Sequence, residues 1–240
     1  MIAKLIGKIL IKGKIHCVTG LRIGGNKSSL EIGGVDLNII KTANGIPYIP
    51  GSSLKGKLRS LLAKIDGSEK PENDPERIQS VFGKAGNNDK KEDGKNNKTR
   101  LLVRDAMLIT NEFPYQNKEN GEFMFSEIKT ENRVERSTGS AKDPRNIERV
   151  PAGAIFDMDI VFDIYETDDA DSFISLLIQS LELLRLDYLG GHGSRGSGKV
   201  DIEITHTDVK QFNTVFNTNL KSINELSATF PPKIKEQPVQ

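Results

Sequence analysis

Residues 47–62 read PYIPGSSLKGKLRSLL. Pro47, Pro50 and Gly51 stop whatever precedes them. Ser52 and Ser53 can accept from first-turn amides, so a helix is expected to begin here with a serine cap. Leu54, Leu58, Leu61, Leu62 and Ile65 recur at i, i+4, i+7, i+8 and i+11, the stripe of an amphipathic helix. Lys55 and Arg59 flank the stripe on one side, Lys57 and Lys64 on the other. Gly56, Ser60 and Ala63 make a small opposite face, onto which another backbone could come close. No acidic residue lies between Ser52 and Lys64. Free amides, a positive dipole end and several cations make a candidate anion site. A solvated basic helix would carry the same residues.

Outward from this helix the chain alternates strand and helix signals. Residues 3–18 carry Leu5, Ile9, Ile11 and Ile15 between lysines and glycines, a strand with one basic face. TGLRIGG (19–25) is a glycine-rich turn holding Arg22, and a second glycine pair precedes Asp36, which by itself reads as a turn aspartate. Asp74-Pro75 is expected to cap a short helix with Ile78, Val81 and Phe82 inside and Gly83 as its stop. Residues 86–99, nearly all polar, have nothing to bury. RLLVRDAMLI (100–109) is a strand candidate. AIFDMDIVFDIY (154–165) is a strand with Ile155, Met158, Ile160, Phe162 and Ile164 inside and a slip near Asp157. Residues 171–186 form an apolar-faced helix, 199–205 a last strand, and the segment from Ser222 on reads as a short tail, loose at its end. Strand, helix, strand, twice over, is the split βαβ pattern of an α+β, ferredoxin-like core, the fold also used by RNA-recognition modules.

Two stretches do not serve the core. Residues 123–151 mix a few apolar residues with charges of both signs around Ser-Thr-Gly-Ser, as in an exposed hairpin that leaves the core and returns. GSRGSGK (193–199) matches a GxxxxGK phosphate loop. Val200 stands where that motif needs Ser or Thr, and the loop follows a helix and opens a strand, so a nucleotide hydrolase is rejected. A glycine loop of this kind can still bring amides to phosphates, with Arg195 and Lys199 adding charge. It can equally be a tight helix-to-strand turn, and His192 can be a site residue or a turn residue.

Composition narrows the class. The 240 residues are 36% hydrophobic and 28% charged with a net charge of +1, so the basic helix is local and the chain is no bulk polycation. One cysteine, Cys17, excludes an internal disulfide and a cysteine-based metal site. The three histidines lack metal-ligand spacing. No apolar run is long enough to span a membrane, and the N-terminus lacks a signal peptide's apolar core, so a cytoplasmic protein is expected.

Three pieces together, TGLRIGG, GGVDLNIIK with PYIPGSSLKGKLRSLLAK, and DYLGGHGSRGSGKV, resemble the RAMP superfamily. More narrowly, they resemble the repeated backbone subunits of type III-A CRISPR interference (Csm) complexes, over residues 3–205. EIKTENRVERSTGSAKDPRNIERV is similar to the thumb of those subunits. The resemblance implies a single domain. Its core would be about 1–66, 100–112 and 152–206, with a helical or disordered insertion at about 67–99, a thumb at about 123–151 and a tail at about 207–240. It implies an antiviral-defence protein that binds CRISPR guide RNA and stacks on copies of itself in a helical filament beside other Csm subunits. Complementary target RNA would be cut at regular intervals by endoribonuclease chemistry with a divalent ion, Mg²⁺. Asp36 takes the catalytic and metal-binding position. Arg22, Ser52, Ser53, Lys55, Lys57, Arg59, Gly191, Gly193, Arg195, Gly196 and Lys199 fall at RNA-binding positions; where this chain has Arg22 the family often has His. Glu127, Glu131, Arg133, Arg145 and Glu148 belong to the thumb. The alternatives are a non-catalytic RNA-binding subunit of the same complex and a metal-independent RAMP endoribonuclease that processes precursor guide RNA.

Overall fold

A computed structural model describes residues 4–25, 37–84, 99–113, 118–119, 122–123, 125–212 and 218–233. The elements in order are β1 (Leu5–Cys17), β2 (Tyr48–Ile49), α1 (Gly51–Ile65), α2 (Glu76–Phe82), β3 (Leu101–Val103), β4 (Ala106–Met107), β5 (Lys118–Glu119) and β6 (Glu122–Phe123). Then come β7 (Glu127–Val134), β8 (Ala141–Arg149), β9 (Ile155–Tyr165), α3 (Ala170–Leu186), β10 (Val200–Gln211) and α4 (Lys221–Thr229). The central sheet has the order β10-β1-β9-β3 with every neighbour antiparallel. The units β1-α1-β3 and β9-α3-β10 interlock, each placing one of its strands between those of the other. This order is consistent with a ferredoxin-like core.

One side of the sheet is apolar because its strands alternate. Phe156, Met158, Ile160, Phe162 and Ile164 of β9 are buried with Ile9, Ile11 and Ile15 of β1, in one core with Leu54, Leu58 and Leu62 of α1 and Ile174, Leu177, Leu181 and Leu184 of α3. The alternation along β9 is regular. The expected slip does not occur, since Phe156 and not Ile155 points inward. At the end of the α1 stripe Ile65 is exposed. On the other side, Lys8, Lys12 and Lys14 of β1 stand in register with Asp163, Asp159 and Asp157 of β9. Lys8 pairs with Asp163, and Lys14 reaches Glu112 at 3.2 Å. The basic face read from the sequence is thus matched by an acidic one.

The start of α1 departs from the sequence reading. Its cap position is Pro50, and neither Ser52 nor Ser53 caps it. The Gly51 amide instead donates to Asp105 Oδ1 at 2.7 Å, while the amides of Ser53 and Leu54 donate to the Pro50 carbonyl. The cap therefore arrives from a distant segment. It also explains why the expected strand 100–109 is two: the chain turns at Arg104-Asp105 to present that carboxylate, leaving β3 in the sheet and β4 paired with β2. Asp105→Ala should cost about 1 kcal/mol in denaturant melts, whereas Ser52→Ala and Ser53→Ala should each stay within about 0.3 kcal/mol.

Pro75, not Asp74, caps α2, whose Ile78, Val81 and Phe82 are buried as expected and whose end is Gly83 at φ +96°. The segment read as a short tail holds α4, which packs on α3 and β10; its end, 234–240, lies outside the described residues. Leu226 and Phe230 are fully buried, and the Ile204 amide donates to the Phe230 carbonyl at 2.8 Å. The expected hairpin is β7 and β8, exposed over most of its length. Residues 85–98, most of the polar insertion, lie outside the described residues. No helix among the described residues is long and apolar enough to cross a membrane.

Candidate nucleic-acid interface

The glycine loop between α3 and β10 is shaped by close approaches. Gly190, at φ +76°, would place a Cβ 2.2 Å from the Arg22 carbonyl, which accepts the Gly191 amide at 2.8 Å. A Cβ at Gly193 would fall 2.0 Å from the Tyr188 ring. The amides of Leu189, Gly191, Arg195, Gly196, Ser197 and Gly198 all donate to protein carbonyls. The glycines thus first serve a tight turn stitched to residues 20–22. His192 takes a left-handed backbone, φ 62°, beside them.

The root of the hairpin meets this loop. Glu131 Oε2 of β7 lies 3.0 Å from Arg195 Nη1 and 3.8 Å from His192 Nδ1, and Oε1 lies 2.9 Å from Lys129 Nζ. Lys129 also donates to the Arg195 carbonyl at 2.9 Å. Lys129, then Arg195, hold the Glu131 carboxyl below the usual carboxylate range against an opposing effect of burial. Burial, and then the nearby Arg22 charge, push His192 below the ordinary imidazole value. Arg22 is half-buried, and a Cβ on Gly191 would stand 3.2 Å from its Nη1. Its Nε is buried and has no hydrogen-bond partner, and burial lowers its pKa.

Other thumb residues anchor the root. Glu148 is buried and accepts from the Ile39 amide at 3.0 Å, Lys41 Nζ at 2.5 Å and Ser126 Oγ at 2.7 Å. Burial raises its pKa, but these three donors more than offset that and hold it low. Glu127 pairs with Arg149 at 2.6 Å. Arg133 and Arg145 are exposed further out along the hairpin. Leu37 bridges Ile147, so the residues after Asp36 run beside this root. Asp36 itself lies outside the described residues.

The cations of α1 are committed within the fold. Lys55 Nζ donates to Thr99 Oγ1 at 2.7 Å and to the Leu101 carbonyl at 2.8 Å; burial, then Arg59, lower its pKa. Arg59 Nε pairs with Asp74 at 2.6 Å. Lys57 Nζ lies 3.0 Å from Asp187 Oδ2 and 4.0 Å above the Tyr188 ring, and Tyr188 supports Gly193. That chain of contacts ties α1 to the glycine loop. Gly56 on the small face has open space before it. Ser52 is exposed and Ser53 half-buried at the helix start, and Gly196 is exposed in the loop at φ +82°. Lys199 is exposed beside a hollow of about 720 Å³ lined by Val18, Leu186 and Asp201. The structure thus brings together Arg22, Gly191, Arg195 and Glu131, links Lys57 and Gly193 to them, and sets Arg59 and Lys199 on other contacts. The sequence reading missed Lys129 and Tyr188.

Residues 14–201 match the RAMP superfamily. The chain belongs to that superfamily. It is 41% identical over 207 residues to the CRISPR system Cms endoribonuclease Csm3 of Methanocaldococcus jannaschii, covering 82% of this chain and 79% of the relative. Its identity to the Csm3 endoribonuclease of Streptococcus thermophilus is 36% over 225 residues, with 91% and 96% covered. Among solved structures it resembles a chain of the Csm3–Csm4 subcomplex in the type III-A CRISPR-Cas interference complex. The TM-score there is 0.55 at 31% identity, covering 87% of this chain and 82% of that one.

Proposed function

We propose that this chain is a single-domain, guide-RNA-binding subunit of a type III-A CRISPR effector complex in the cytoplasm, and that it cleaves complementary target RNA. The observation that supports it best is the convergence of Arg22, Lys129 and Arg195 at the root of a long exposed hairpin, in a chain 41% identical to a Csm3 endoribonuclease. Cations at a glycine loop hold a phosphate backbone whatever the bases. The hairpin, projecting from that site, is the thumb of this reading. Copies would stack head to tail along the guide, because an asymmetric contact that does not close builds a helical array. A Csm4-type subunit would border the stack.

A divalent ion, Mg²⁺, belongs to this reading. Among the described residues no group of three His, Cys, Asp or Glu side chains could hold a metal, and both Glu131 and Glu148 are taken by cations. The described donors do not fit a site made of protein ligands alone. Asp36 and RNA phosphate oxygens would be left to share the ion.

The test is cleavage by the assembled complex with matched target RNA, in Mg²⁺ and in EDTA. Evenly spaced cuts that EDTA removes support the reading. A single EDTA-resistant cut in repeat RNA would assign precursor processing instead. Binding with no cut would make the chain a structural subunit.

A further inference from the structure

We propose that Glu131 is a built-in stand-in for RNA phosphate: in the RNA-free chain its carboxylate fills the subsite, among Lys129, Arg195 and His192 with Arg22 alongside, that a guide phosphate takes. This rests on the proposed RNA-binding function and adds a latch to it.

The geometry points there in three ways. Glu131 belongs to the hairpin, whereas Arg195, His192 and Arg22 belong to the glycine loop and the turn stitched to it. The contact joins the hairpin to the loop alongside the Lys129 bond to the Arg195 carbonyl and the Val150–Leu21 pair at the hairpin's base. Next, one carboxylate faces two cations directly, at 2.9 and 3.0 Å, and its side chain is only 14% exposed. With Arg22 included the cluster carries three positive charges against one negative, so it holds charge for more anion than Glu131 supplies. Lastly, the buried Arg22 Nε has no hydrogen-bond partner. A buried guanidinium N–H is normally satisfied, so its acceptor is a group absent from the free chain.

A phosphodiester carries the same single charge and the same two equivalent oxygens as a carboxylate. It can replace Glu131 while keeping the charge-assisted bond from Arg195 and the ion pair with Lys129, whose facing oxygen, Oε1, has no hydrogen-bond partner in the free chain. It would also bring further oxygens toward Arg22. The exchange frees the Glu131 side chain from the loop when RNA is seated, while Glu148 and the Val150–Leu21 pair keep the hairpin root in place.

The experiment compares wild type, Glu131→Gln and Glu131→Ala with Glu135→Gln, which removes the same charge from the same hairpin away from the loop. The readouts are affinity for a single-stranded uridine oligomer at fixed salt, melting temperature, and amide exchange of residues 127–149 without RNA. Both Glu131 variants should bind about tenfold more tightly and exchange faster in the RNA-free state, while Glu135→Gln stays within about twofold of wild type. In wild type the faster exchange should appear on adding RNA. Equal or weaker binding by both Glu131 variants overturns the inference, as does an equal gain in Glu135→Gln, which would reveal general repulsion only. A wild-type chain that binds no RNA removes the proposed function and this inference with it.

Discussion

Asp36→Ala should slow target cleavage by at least about 100-fold while guide and target affinity stay within about twofold of wild type. The residue that follows it fixes where this segment runs. The Leu37 carbonyl accepts the Glu148 amide at 3.0 Å, and the Ile39 amide donates to the Glu148 carboxylate at 3.0 Å. The segment therefore passes the hairpin root. A carboxylate beside a held RNA backbone can take a proton from an attacking hydroxyl or help hold a divalent ion. Neither role contributes to affinity, and loss of an anion near RNA relieves repulsion. A turn aspartate would behave in the opposite way, with stability and binding falling together and the cut spared. The assay is cleavage with matched target RNA in Mg²⁺, with binding and melting measured on the same preparations. Wild-type cleavage by the variant would make Asp36 structural and move the search to His192 and the hairpin root.

Arg59→Ala should lower stability by about 3–5 kcal/mol, a fall of roughly 6–20 °C in melting temperature. Its guanidinium meets Asp74 at 2.6 Å and the Pro71 carbonyl at 3.0 Å, and the Asp74 side chain is only 2% exposed. Removing the cation leaves a buried carboxylate that keeps the Ser68 hydroxyl as a donor. The cost comes mainly from that stranded charge, not from the lost attraction. The double variant Arg59→Met, Asp74→Asn should therefore recover most of the loss. The position was expected to hold phosphate, so weakened RNA binding by Arg59→Ala at a temperature where it partly unfolds would mimic a lost contact. The salt slope separates the two: a lost phosphate contact lowers it by about 0.7, whereas partial unfolding lowers the amount of active protein and leaves the slope alone. A variant that melts with wild type would show that the pair adds nothing.

Much of the fold was legible because it depends on local periodicity. The alternation in β1 and β9 and the stripes of α1 and α3 state which faces are buried, and these strands and helices form the interlocked core. What was not legible depends on residues distant in sequence. No local signal connects Gly51 to Asp105, Arg59 to Asp74 or Lys57 to Asp187, so the basic ridge of α1 read as free for a ligand. In α4 a stripe was present, Leu220, Ile223, Leu226 and Phe230, but in a segment too short and polar to be read as a helix with certainty of packing. Of the candidate site, the glycine loop and the hairpin were legible as separate motifs; their meeting at Glu131 was not. Lys129 was within reach, since residues two apart on a strand share a face.

The sheet's charged face has a consequence for what the protein can know about its RNA. Modules that read single strands through a sheet stack bases on aromatic rings. Here the alternate residues of β1 and β9 on that face are Lys8, Leu10, Lys12, Lys14 and His16 against Asp163, Val161, Asp159, Asp157 and Ile155, and the one ring that follows, Tyr165, is buried under Arg100. The lysines and aspartates neutralise one another, which leaves that surface without a grip on either bases or phosphates. In the proposed function, RNA is therefore held by loops at one end, through its backbone alone. A guide held so keeps its base edges unoccupied, and any sequence fits equally well. Discrimination between one target and another then resides in Watson–Crick pairing, and a new guide redirects the same unchanged polypeptide.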